Sequence, residues 1–242
     1  MARIYGLNVV SLWPYCLGPR GPERSIKLAA SAGFDGLQAL PMKGWSYKGV
    51  REWEDRVISF EDAFMYGPLW QAVLRQVGIL DEPAPLLVDW LLFGRKVSPF
   101  FPRAILVTHH WQKGVAVEVN PELEARAQAY LDFCTDGGRL CWDTLHVRRG
   151  QRNGGEAVSD WRHLLSDLPA ESLELIHIHP TKEEIAPFLA GTQTELTEMI
   201  ASLGAKFPTV PAIVEVFPPL MSVSSAVSYL SKILTMSKRW LG

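Results

Sequence analysis

At 242 residues and 48% hydrophobic composition, the chain can bury a sizeable core, either as two small domains or as one α/β barrel. A formal net charge of −2 gives no basic footprint, which argues against nucleic acid as a partner. Three cysteines, Cys16, Cys134 and Cys141, are too few and too scattered for a disulfide scaffold and predict a reducing compartment.

Asn8, Pro14 and Pro19 interrupt any signal-peptide core. The greasiest run, residues 85–93, is roughly nine residues long and far too short to span a bilayer. A soluble cytoplasmic protein with no membrane partner is expected.

In chain order, residues 4–12 are apolar and β-rich, and Gly21-Pro22 introduces a helix over 23–32 closed by Gly33. Residues 36–40 read as a second strand, 41–55 as an irregular excursion, and 56–64 as a third strand ending in Glu61-Asp62. Residues 69–77 have helical spacing, and Asp81 can cap a further helix over 82–93. A fourth strand over 102–110 ends in His109-His110, and a fifth over 114–120 carries Glu118.

Asn120-Pro121 then caps a helix with Leu123, Ala127, Tyr130, Leu131 and Cys134 at helical intervals. The strand Arg139-Leu140-Cys141-Trp142-Asp143 follows, then a Gly- and Arg-rich loop over 146–157 and a helix near 160–168. The strand over 173–180 carries His177 and His179. It precedes a helix over 192–203, where Thr192 and Glu195 form a capping box and Gly204 is the stop. A strand over 211–218 carries Glu215, and the last helix buries Val223, Ala226, Val227, Leu230, Ile233 and Leu234.

About eight strands alternating with helices predict a parallel (β/α)8 TIM barrel as one domain over 1–242, with its chemistry at the C-terminal strand ends. Glu118, Asp143, His177 and Glu215 fall there, and alternation along each strand lets them converge above the sheet. One step departs from the pattern. Only residues 111–114 separate the fourth and fifth strands, whereas a parallel connection normally needs roughly a dozen, so the barrel is expected to be irregular at its fourth β/α unit.

A strand-end Asp or Glu is commonly only a loop cap. A Glu within Val-Ala-Val-Glu-Val-Asn or Ile-Val-Glu-Val-Phe, however, is costly if it points unpaired into a barrel, so a cation or a base is expected beside it. His109, His110, Trp13, Trp45, Trp111 and Trp142 lie at or near strand ends, as substrate contacts or as packing. Arg148, Arg149 and Lys182 follow strands on that side and offer charge to an anion, although basic loop residues are commonly just solvated. Cys141 reads as core.

Five phrases together resemble the xylose isomerase-like TIM-barrel superfamily of sugar isomerases and epimerases, which also contains an AP-endonuclease branch. They are Ala32-Gly33-Phe34-Asp35-Gly36-Leu37, Val115-Ala116-Val117-Glu118-Val119-Asn120, Asp143-Thr144-Leu145-His146, Ile176-His177-Ile178 and Ile213-Val214-Glu215-Val216. The resemblance implies that Glu118, Asp143, His177 and Glu215 hold one divalent cation and that His146 touches substrate beside it. The family pattern departs after His177, where His179-Pro180 intervenes, so His179 is the alternative ligand; otherwise it is a substrate contact. The endonuclease branch has extra histidines on its second and third strands, where this chain offers Gln38 and Glu61-Asp62, which disfavours DNA cleavage.

Three oxygen donors and one imidazole suit Mn²⁺ or Mg²⁺, with Zn²⁺ or Co²⁺ also compatible. The implied function is a metal-dependent isomerase or epimerase of a small sugar or hydroxy-carbonyl compound. Glu118 and Glu215 would move the proton through an enediolate. A lyase, dehydratase or hydrolase on the same site, or a non-catalytic binding barrel, are the alternatives, and a homo-oligomer is compatible with each.

Overall fold

The structure is a computed structural model that describes residues 2–12, 15, 20–39, 56–61, 104–120, 124, 126–148 and 161–242. Eight parallel strands close a barrel in sequence order: β1 (Tyr5–Asn8), β2 (Gly36–Ala39), β3 (Val57–Glu61), β4 (Ile105–Thr108), β5 (Ala116–Glu118), β6 (Arg139–Asp143), β7 (Leu173–Ile178) and β8 (Ala212–Val214). The expected TIM barrel is therefore the observed fold. The helices are α1 (Gly21–Ser31), α2 (Ala127–Thr135), α3 (Thr144–Arg148), α4 (Trp161–Asp167), α5 (Lys182–Ala190), α6 (Glu195–Lys206) and α7 (Val223–Leu241), with a 3₁₀ turn over Val9–Leu12. The helices expected over 69–77 and 82–93 lie outside the described residues, as do Trp13, Trp45 and Arg149. Among the described residues no helix is long and apolar enough to cross a membrane.

Period-two alternation decides what each strand shows to each side. Val117, Leu140, Trp142, Ile176, Ala212 and Val214 face outward and belong to the large apolar layer under the helices. Ile58, Val107, Ala116, Cys141, Leu175 and Ile213 form a separate cluster inside the barrel. It plugs the interior and puts an apolar floor beneath the next inward rung, which is Glu118, Asp143, His177 and Glu215. The plug is tight enough that a Cβ on Gly6 would lie 2.5 Å from the Cδ1 of Ile213.

The short β4–β5 return is resolved by stagger. Val107 pairs with Ala116 and Thr108 with Val117, so β5 begins level with the end of β4. The returning chain descends only about two residues, roughly 7 Å at strand rise, and no helix is needed to carry it back. A crossover must be long only when it has to return the full length of a strand.

Several local expectations are corrected. The loop expected from 146 begins instead as α3, placing His146 and Arg148 on a helical turn. Helix α5 was not anticipated, although Thr181 and Glu184 form its capping box and Gly191 ends it at φ 72°. Helix α6 is capped by Thr194 with Thr197 at its third position, rather than by Thr192 and Glu195. Gly204 does not stop α6; it is buried within the helix, where an added Cβ would lie 2.2 Å from the carbonyl oxygen of Leu241. That glycine permits the close crossing of α6 and α7.

Candidate functional site

The C-terminal strand ends bring seven ionisable side chains together. Glu118 closes β5, Asp143 closes β6, His177 lies near the end of β7, and His179 and Glu215 follow β7 and β8 by one residue. Glu118, Asp143, His177 and Glu215 are all essentially buried. Glu118 Oε1 lies 3.3 Å from His109 Nε2 and 2.9 Å from His146 Nδ1, while its Oε2 lies 3.5 Å from His177 Nδ1. Asp143 Oδ2 lies 3.6 Å from His177 Nδ1 and 3.5 Å from His179 Nδ1.

Local chemistry fixes these groups. Oδ1 of Asp143 accepts the backbone N–H groups of Leu145 and His146 at 2.6 and 2.8 Å, which starts α3 and swings His146 back over Glu118. The N–H of His179 donates to Thr144 Oγ1 at 2.9 Å, tying the end of β7 to the same turn. Two residues missed as site members complete the frame. Asn8 Nδ2 donates to Gln38 Oε1 at 2.9 Å and to Glu215 Oε2 at 3.0 Å, and Gln38 Nε2 lies 3.0 Å from His177 Nε2. Engaging Nε2 leaves Nδ1 of His177 to face the carboxylates. The signal for both residues was a buried amide on the inward face of β1 and β2.

The electrostatics follow from the crowding of buried carboxylates and imidazoles. Burial pushes the Glu118 carboxyl up, but the His109 and His146 imidazoles outweigh it and hold Glu118 well below the ordinary carboxylate range. Asp143 is likewise lowered, burial being overcome by His146, His177 and His179. Burial opposes charge on His146, yet Asp143 and Glu118 push its pKa up to about 10. His177 is also raised, against burial, first by the neighbouring Cys141 sulfur and then by Asp143. His179 is raised, again against burial, by Glu215 and Asp143.

These groups also leave donor atoms over. His177 Nδ1, His179 Nδ1 and Glu215 Oε1 are buried without a hydrogen-bond partner, while Glu118 Oε1 is in ion-pair contact with His109 and His146 without hydrogen-bond geometry. The 3.5 and 3.6 Å contacts to His177 and His179 are too long to serve as hydrogen bonds. Buried carboxylate oxygens and imidazole nitrogens set close together fit a divalent cation, with Asp143 or His177 shared between the neighbouring triads that could hold one. One ligand atom from each of Asp143, His177 and Glu215 fits within a 4.8 Å span.

Other expected contacts find different surroundings. The Arg148 guanidinium forks onto Glu184 of α5 and its Nε donates to the Thr144 carbonyl at 2.6 Å, so these donors have protein partners. Trp111 packs on Tyr130 and Phe133 of α2, with centroids 5.0 Å apart in both pairs. Trp142 is core, its Nε1 donating to Met199 Sδ at 3.3 Å. Of the histidine pair after β4, His109 reaches Glu118 while the backbone N–H of His110 donates to Thr108 Oγ1 at 3.3 Å. An aromatic wall not anticipated from sequence is Phe217, 59% exposed, with its ring 6.4 Å from that of His179.

No protein-family model and no curated protein matches the chain. Solved structures do. D-allulose 3-epimerase from Methylomonas sp., in complex with D-allulose, is 14% identical with a TM-score of 0.57, covering 99% of this chain and 98% of that one. An L-ribulose 3-epimerase is 15% identical with a TM-score of 0.56, covering 100% of this chain and 95% of that one. A xylose isomerase-like TIM barrel/4-hydroxyphenylpyruvate dioxygenase fusion protein is 12% identical with a TM-score of 0.59, covering 99% of this chain and 43% of that one. At these identities the likeness is one of fold.

Proposed function

We propose that this barrel is a divalent-cation-dependent isomerase or epimerase of a small sugar or related hydroxy-carbonyl compound. The observation that carries this reading is the burial of Glu118, Asp143, His177 and Glu215 at adjoining strand ends, in triads that share His177 and include donor atoms without hydrogen-bond partners. The fold likeness to sugar 3-epimerases supports it. Glu118, Asp143, His177 and Glu215 would hold the cation. Bound there, the ion supplies Lewis acidity, polarising a carbonyl and acidifying the adjacent C–H.

The chain's own residues do the rest. Glu118 on β5 and Glu215 after β8 stand on well-separated strands of the closed barrel, so they approach a substrate from different sides. One removes the proton from carbon and the other returns it, which inverts a centre or moves a carbonyl. Asn8 holds Glu215 through one oxygen and leaves the other for the substrate. His146, over Glu118, can donate to a hydroxyl or to the developing oxyanion. Phe217 and His179 offer a wall to the apolar face of a sugar.

The test is solvent exchange. Protein loaded with Mn²⁺ or Co²⁺ is incubated in D₂O with D-allulose, D-fructose, L-ribulose and ketose phosphates. Deuterium is expected at the carbon next to the carbonyl of at least one, and Glu215→Gln abolishes the incorporation while far-ultraviolet circular dichroism is unchanged. Metal-loaded protein that exchanges no deuterium into any of them, or a Glu215→Gln protein that exchanges normally, overturns the reading.

A further inference from the structure

The rung beneath the proposed cation ligands carries a donor atom. In the described cluster that forms that layer, Ile58, Val107, Ala116, Leu175 and Ile213 are hydrocarbon, and Cys141 presents a sulfur. Cys141 is fully buried, and it precedes Asp143 by two residues on β6, so both side chains enter the barrel from the same face. The stagger of the barrel brings it higher than its place in the layer suggests. Glu118 pairs with Cys141 across β5 and β6, while Asp143 pairs with His177 across β6 and β7. The sulfur is therefore level with Glu118 and one step below His177. Ligand atoms of Glu118, Cys141 and His177 lie within 4.8 Å of one another.

Two independent features at the same point call for a ligand. His177 Nδ1 is fully buried and lacks a hydrogen-bond partner, and Glu118 Oε1, also buried, meets its histidine neighbours in ion-pair contact without hydrogen-bond geometry. Donor atoms around a tetrahedral zinc ion are roughly 3.5 Å apart, given Zn–S near 2.3 Å and Zn–N near 2.0 Å, so shifts of about an ångström would close the set. A thiolate, an imidazole and a carboxylate form a donor set that favours borderline-soft ions over Mn²⁺ and Mg²⁺.

We infer that Cys141 is a sulfur ligand from the barrel floor, acting with His177 and Glu118, and that it makes this centre selective for a thiophilic divalent cation, Zn²⁺ or Co²⁺. This rests on the cation site proposed above and adds to it the identity of the ion. When the ion binds, the thiol gives up its proton to solvent and the sulfur lone pair forms the new bond. On this inference Cys141, a core residue as expected, is also a ligand, and the preferred ion is Zn²⁺ or Co²⁺ instead of Mn²⁺ or Mg²⁺.

The experiment is a Co²⁺ titration of the metal-free protein followed by absorption spectroscopy, with Zn²⁺ and Mn²⁺ affinities measured by competition. The wild type and Cys134→Ser are expected to bind one Co²⁺ per chain with a sulfur-to-cobalt charge-transfer band in the near ultraviolet. Cys141→Ser and Cys141→Ala lose the band, and their preference for Zn²⁺ over Mn²⁺ falls at least about tenfold. Using both variants guards against one of them failing to fold. One bound Co²⁺ without the band, or a band that survives in both Cys141 variants, overturns the inference and leaves the cation reading standing. Protein that binds none of Co²⁺, Zn²⁺ and Mn²⁺ overturns both.

Discussion

At the scale of single residues, the centre is defined by which nitrogen or oxygen reaches two partners and which reaches one. His177 Nδ1 lies within 3.6 Å of both Glu118 and Asp143, whereas the described ion-pair contact of His179 is to Asp143 alone. His177→Ala is therefore expected to weaken cation binding by about 100-fold or more, and His179→Ala by about tenfold or less, as read by equilibrium dialysis. Equal losses would make His179 a ligand of the same standing. The pKa directions set a second expectation for the metal-free protein. His146 is raised to about 10, so its contribution to stability is fully present below its unfolded value near 6.5 and is lost as pH rises toward about 10. Glu118 and Asp143 are lowered, so their contribution is present above their unfolded values near 4 and is lost as pH falls below that. The metal-free melting temperature should peak between about pH 4 and 6.5 and decline toward pH 10; a flat profile over that rise contradicts the His146 assignment.

At the scale of elements, the site depends on short pieces that tie neighbouring β/α units together. Helix α3 has only five residues, too few to be stable by itself, and Arg148 anchors it to α5 through Glu184. The Arg148 side chain is 4% exposed and that of Glu184 22%, so the pair is largely but not wholly removed from water. Arg148→Ala should cost about 2–4 kcal/mol, below the figure for a fully buried pair because Glu184 can recover some hydration. In a chain of this length that corresponds to a fall of about 5–10 °C in melting temperature by calorimetry. If Arg148 acted on substrate instead, the variant would melt normally and lose substrate affinity.

At the scale of the whole molecule, the centre gathers side chains from β1, β2, β5, β6, β7 and β8, whose partners are as far apart in sequence as Asn8 and Glu215. An ion bound to such a set holds the closed barrel together, because the unfolded chain presents no comparable cluster. A cation at a hundredfold excess over its Kd should add about 2.7 kcal/mol and raise the melting temperature by roughly 5–10 °C. Asp143→Asn should lose most of that increment. A metal-induced rise of the same size in the variant would place the ion elsewhere.

The sequence by itself determined the strand positions, their parallel repetition and the polar tips at Glu118, Asp143, His177 and Glu215. Hydrophobic alternation is local, and a charged residue inside an apolar run stands out wherever the chain goes. Tertiary structure decided the rest. Whether four strand tips meet depends on closure of the barrel, and which rung faces which depends on stagger, neither of which is encoded within any one segment. Stagger shortened the β4–β5 return and lifted Cys141 to the level of Glu118. Arg148 pairs with Glu184 of α5, a helix whose capping box at Thr181 and Glu184 is legible in the sequence. In the sequence Gln38 stands out only as the residue at the second strand end in place of a histidine, and Asn8 only as a polar break; closure brings them beside His177 and Glu215, because the partner of a buried amide is chosen by neighbours across the barrel.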